Sequence, residues 1–117
     1  MTDKPANYFT ALLLRIYPCK TPFSLKVIKK KPKTMMGSYS FALNSIRVYD
    51  GWGDTHVCLK TAIHEYAHHL HQTEFGKAEK KQRPHGPEFW QIYGQLIWRA
   101  KQLRLFEDTK YPVIGFE

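Results

Sequence analysis

Apolar residues recur at helical spacing near both ends of the chain and alternate with polar ones in the middle. In "NYFTALLLRIYP", Tyr8, Leu12 and Ile16 fall on one stripe, with Phe9 and Leu13 beside it. That spacing predicts a first helix capped by Asn7 and ended by Pro18. In "SLKVIKK", Leu25 and Val27 alternate with Lys26, Ile28 and Lys30, which predicts a strand with a partly formed apolar face. Met36 to Phe41 and Ser45 to Asp50 read as two further strands joined tightly around Asn44. Ile46 and Val48 are expected to face the core, with Arg47 and Tyr49 on the other side. "KKKPK" at 29–33 reads as an exposed tip between strands, and "GWGDTH" at 51–56 as a turn. Asp54 or Thr55 is expected to cap a helix reaching about Thr73, with Gly76 suited to its end. A polar connector, "KAEKKQRPHG", leads to a long last helix in which Pro87 fits the first turn. There Phe89, Ile92, Tyr93, Leu96, Ile97 and Ala100 form a continuous buried stripe. The segment from 104 to 117 reads as an irregular tail.

These elements describe one α+β domain over residues 1–117, with an N-terminal helix, a small three-stranded sheet and two further helices. With 43% hydrophobic and 15% aromatic residues, the chain has the means to fold. The longest apolar run, "ALLL" at 11–14, is far short of the ~20 residues a membrane span needs. Arg15 interrupts the only stretch that resembles a secretory signal. The chain therefore reads as soluble and cytoplasmic. Cys19 and Cys58 sit far apart in dissimilar contexts, which suits a reduced, unpaired set. The net charge of +8 favours an acidic partner such as nucleic acid. Lys29, Lys30, Lys31 and Lys33 form one basic cluster, and Lys77, Lys80, Lys81 and Arg83 a second. Either could bind phosphates or simply be solvated. Trp52, between two glycines, could stack on a base or pack against the helix that follows.

The chemistry concentrates in "AIHEYAHHLHQ", which holds four of the six histidines and the spacing H-E-x-x-H. On a helix, His64 and His68 share a face and can aim two imidazoles at one zinc ion. Glu65 leans to the same side, where a carboxylate can take a proton from the water that the metal activates. Ala62, Ile63, Tyr66, Ala67 and Leu70 would bury the opposite side. A straight helix rises about 10 Å from His64 to His71, too far for ligands about 2 Å from one ion. The third ligand must then come from another segment, and "RPHGPEFW" offers His85 and Glu88. His69 and His71 read as rim residues, and His56 as a turn residue. Cys19 could cap the metal as a thiolate, though an inert thiol fits as well.

H-E-x-x-H on one helix, then a connector and "HGPEFW" opening the next, resembles the SprT-like zinc metalloprotease domain of the Spartan type. The likeness extends over most of the chain, including "GSYSF…SIRVYDG" before the active helix. It does not extend to the cysteine-rich ribbon or DNA-binding tail that many relatives carry. The resemblance implies a zincin-like minimal metalloprotease fold with one Zn2+ held by His64, His68 and His85. It implies Glu65 as general base and a protein or peptide as substrate. DNA, met through the basic clusters, is a further expected partner. His71, Tyr93 and Tyr111 are candidates for a second electrophile. The "YPVIGFE" tail could lie in the cleft and keep the site latent. The competing reading is a noncatalytic, zinc-stabilised nucleic-acid-binding module, which would need the histidines but not Glu65.

Overall fold

The computed structural model describes residues 4–52, 55–75 and 85–107. Among them are three α-helices and one three-stranded sheet: an α+β domain. Helix α1 runs Lys4–Ile16, one turn earlier than the sequence suggests. Pro5 falls in its first turn, where a missing N–H costs nothing. Asn7 is consequently an exposed residue inside the helix and not its cap. Phe9, Leu12, Leu13 and Ile16 are buried. The helix ends at Ile16, two residues before Pro18. Arg99 Nε donates to the Ile16 carbonyl at 2.6 Å and ties this end to the last helix.

Strands β1 (Ser24–Ile28), β2 (Gly37–Ser40) and β3 (Ser45–Tyr49) lie in the order β1-β3-β2. β1 pairs parallel to β3, with Leu25 beside Ile46, and β2 pairs antiparallel to β3, with Tyr39 beside Ile46. Ile46 and Val48 are fully buried, while Arg47 is exposed. The β2–β3 turn passes through Asn44 at φ 48°, a left-handed conformation that Asn tolerates well. Because β3 is central, β2 has one edge without a strand partner in this sheet.

Helix α2 spans Thr55–Leu70 and packs on the sheet and on both other helices. It does not run to Thr73 as a regular α-helix. A π-helical turn, His71–Phe75, continues it. The Thr73 hydroxyl donates to the His69 carbonyl at 2.7 Å, a back-bond that loosens the i→i−4 ladder. Helix α3 runs Pro87–Gln102 with Gly86 at its N-cap and Pro87 in the first turn. Phe89, Leu96 and Ala100 are buried; Ile92, Tyr93 and Ile97 are half-buried and packed against the core.

The chain after α3 is less irregular than the sequence suggests. Arg104 takes φ 60°, and its N–H donates to the Lys101 carbonyl at 3.0 Å. Leu105 donates to the Ala100 carbonyl at 3.0 Å, closing a Schellman cap with arginine where glycine is usual. Leu105 is fully buried. The expectations for Asp54, Gly76, the second basic cluster, Tyr111 and "YPVIGFE" lie outside the described residues, as does the side chain of Trp52. No helix among the described residues is long and apolar enough to cross a membrane.

Candidate metal centre

Helix α2 turns Ala62, Ile63, Tyr66, Ala67 and Leu70 into the core, all fully buried. Helical spacing then leaves His64 and His68 on the opposite side, both half-buried. His85 reaches them from the residue before the Gly86 cap of α3. Its Nε2 lies 3.2 Å from His68 Nε2 and 3.3 Å from His64 Nε2. One nitrogen from each of the three histidines falls within 4.8 Å of the other two, close enough to hold one metal ion.

The spacing fits a metal on chemical grounds. Nitrogens about 2.0–2.1 Å from a tetrahedral zinc are separated by about 3.3 Å along each edge. Without an ion, one hydrogen on His85 Nε2 can serve only one neighbour at a time, although two imidazole nitrogens face it. Both helix histidines also favour the neutral, ligating form. Burial lowers His68 to about 4, with His64, His85 and His71 adding repulsion. His64 is lowered by burial and then by His85.

Phe89 lies beneath all three rings. It stacks on His68 at 4.2 Å between centroids and sits 5.0 Å from both His64 and His85. The sequence places it in the buried stripe of the last helix and in the "HGPEFW" element. Trp90 was not anticipated at all: its Nε1–H donates to the His85 carbonyl at 2.9 Å, and the indole stacks on the His85 ring. The i, i+5 spacing across Gly86-Pro87 is the one local signal for this contact.

Glu65 is buried and lines the same cleft as the three histidines. Burial raises its carboxyl to about 7. A cation on the imidazoles would oppose that shift. The cleft has a volume of about 800 Å³ and runs past Met35, Met36 and Gly37 at the start of β2. Gly37 allows the close approach of strand and helix: a Cβ there would lie 2.6 Å from Thr61 Cγ2 and 3.3 Å from Glu65 Cγ.

The remaining candidates separate clearly. Glu88 does not join the cluster; its Oε1 accepts from His71 Nε2 at 3.3 Å. His71 is 1% exposed and is not a rim residue. His69 is not one either. It is fully buried, with Nε2 2.8 Å from the Thr21 carbonyl and Nδ1 2.9 Å from the Tyr39 hydroxyl. A carbonyl can only accept, so His69 Nε2 carries the hydrogen of that bond. His56 belongs to the first turn of α2 and is buried against Phe106, 4.7 Å away between centroids, so it is no turn residue. Cys19 is remote from the histidine cluster in its bonding: its Sγ donates to the Thr21 carbonyl at 3.2 Å. Neither cysteine forms a disulfide among the described residues. Tyr93 lines the cleft with its ring 5.5 Å from His64, and burial raises its phenol pKa. Lys29, Lys30, Lys31 and Lys33 are all exposed.

No protein-family model matches the chain, and no solved structure matches it. Among curated proteins, it is 28% identical over 116 residues to prostaglandin G/H synthase 1 of Oryctolagus cuniculus. It is 29% identical to prostaglandin G/H synthase 1 of Canis lupus familiaris and to prostaglandin G/H synthase 2 of Bos taurus. Each match covers 95% of this chain but 19% of the relative's length. At that identity and share, the likeness assigns this chain neither a family nor an activity.

Proposed function

We propose that the chain is a zinc-dependent endopeptidase with a zincin-like, SprT-like active site. The observation that supports this best is the convergence of His64, His68 and His85 beside a buried carboxylate, Glu65, in one cleft. His64, His68 and His85 would hold the ion. Zinc on three neutral imidazoles supplies a Lewis acid that acidifies water and polarises a carbonyl. Glu65 takes a proton from the attacking water on its carboxylate and returns it to the leaving amine. Tyr93 is the described residue best suited to donate a hydrogen bond to the substrate carbonyl oxygen, since His71 is sealed against Glu88. An extended peptide would pair with the outer edge of β2, which leads into the cleft at Gly37. Phe89 beneath the rings keeps that side of the cluster dry, which strengthens each polar interaction there.

A purely structural metal site needs the histidines alone, so a carboxylate placed beside them favours catalysis over mere stabilisation. DNA is a proposed partner through the exposed Lys29–Lys33 loop, with activation that weakens as salt rises. Glu65→Gln tests the enzymatic reading. The variant should bind zinc and fold as the wild type does, yet lose cleavage of an unstructured protein by at least about a hundredfold, the lower range for general acid–base catalysis. Equal rates would remove Glu65 from the reaction. Zinc binding with no cleavage by either protein, with or without DNA, would favour the zinc-stabilised nucleic-acid-binding module.

A further inference from the structure

The cleft beside the histidines has a pronounced charge bias. Among the described residues that line it, Lys33 and Lys60 carry positive charge, and Glu65 is the one carboxylate. Glu74, Glu88 and Glu107 are engaged elsewhere, and Asp50 does not line the cleft. Glu74 accepts from the backbone N–H groups of Lys20 and Thr21, at 2.5 and 3.2 Å. Glu88 pairs with His71, and Glu107 with Arg104. Neither Lys33 nor Lys60 has a carboxylate within ion-pair distance among the described residues. Lys60 is half-buried, while Lys33 comes from the exposed loop before β2.

Position makes this bias useful. Lys60 stands four residues before His64, so it shares the metal face of α2 about 6 Å along the axis. An extended peptide advances about 3.3 Å per residue. A substrate side chain about two residues from the bond being cut would therefore come level with the Lys60 ammonium. Met35 and Met36 line the same stretch, and both are exposed. They add a soft apolar wall that can adapt to the stem of an acidic side chain.

We propose that Lys33 and Lys60 form a subsite for a carboxylate side chain of the substrate, so that the protein cuts peptides with Asp or Glu within about two residues of the scissile bond. This rests on the endopeptidase reading above and adds the substrate class to it. A lysine or arginine at the same position would meet two ammonium groups and be disfavoured.

The test uses one fluorescent peptide series on the full chain, identical except for Glu, Gln or Lys placed in turn at each of three positions on either side of the cleaved bond. Glu should exceed Gln in kcat/KM at one or two positions by about fivefold, the ratio an exposed ion pair near 1 kcal/mol gives. Lys should fall below Gln, and the spread should shrink as salt rises from low to physiological. The double variant Lys33→Glu with Lys60→Glu should reverse the order, and Lys60→Gln should flatten it, each with an unfolding temperature close to wild type. The same peptides are titrated by anisotropy onto the Glu65→Gln protein, where binding is read without turnover. Equal cleavage of the Glu, Gln and Lys peptides would overturn the subsite while leaving the peptidase intact. Cleavage of none would overturn the peptidase, and the order of anisotropy affinities would still decide the subsite: Glu tightest supports it, no order rejects it.

Discussion

Gly37 opens β2 at the point where the strand passes against the helix that carries Glu65. Its backbone is not left-handed, so a side chain is barred there by space alone. The Cβ of an alanine would sit 2.6 Å from Thr61 Cγ2 and 2.8 Å from the Arg47 carbonyl oxygen. Neither neighbour is the free end of a long side chain. Gly37→Ala should therefore destabilise the fold by about 1–3 kcal/mol, as overpacking usually does, and should reduce cleavage by displacing Glu65. Gly94 provides the control. A Cβ there meets nothing within 4 Å, so Gly94→Ala in the exposed middle of α3 should stabilise by about 0.5–1 kcal/mol. Urea unfolding of the two variants beside wild type checks both signs. If Gly37→Ala proves neutral, the strand can yield and does not set the position of Glu65. Glycine at a strand often marks close backbone approach, which Gly37 exemplifies. The sequence held nothing to say that the approaching group was Thr61.

The first turn of α3 gathers several contacts around the third histidine. Gly86 caps it, Glu88 accepts from His71, Phe89 underlies the three rings, and Trp90 holds the His85 carbonyl. This separates the two sequence candidates for third ligand. His85→Ala should lose zinc, whereas Glu88→Ala should retain a full equivalent and cost about 1–3 kcal/mol, because it leaves the buried His71 Nε2–H without its acceptor. Metal analysis of the dialysed proteins decides it; zinc lost from Glu88→Ala alone would make Glu88 the ligand. The three helices, the hairpin around Asn44 and the pairing of His64 with His68 were legible because each depends on local periodicity or spacing. The burial of His69, His71 and His56 is not legible, for the opposite reason. Helical spacing says which residues share a face, but not what packs on that face. The Thr21 carbonyl, Glu88 and Phe106 that cover them come from distant parts of the chain. Leu105 was hidden similarly, since its burial depends on Arg104 adopting a left-handed conformation that sequence assigns to glycine.

At the scale of the molecule, the three histidines join α2 to the segment that opens α3, two elements separated by the 76–84 connector. An ion held there would link them and stabilise the folded state by mass action. At a thousandfold excess over Kd the gain is about 4 kcal/mol, which for a domain of this size corresponds to a rise in Tm of more than about 10 °C. Chelation by EDTA should return the Tm to that of His85→Ala, and EDTA should then have no further effect on the variant. A wild-type Tm indifferent to both zinc and EDTA would mean that the cluster holds no ion under those conditions. The claim on which the whole account depends is the ligand set itself, and X-ray absorption at the zinc edge reads it directly. The zinc-loaded protein should show three imidazole nitrogens and one oxygen at about 2.0–2.1 Å, and His85→Ala taken through the same loading and dialysis should show no zinc edge. A sulfur scatterer near 2.3 Å, or an unchanged spectrum in that variant, would contradict it.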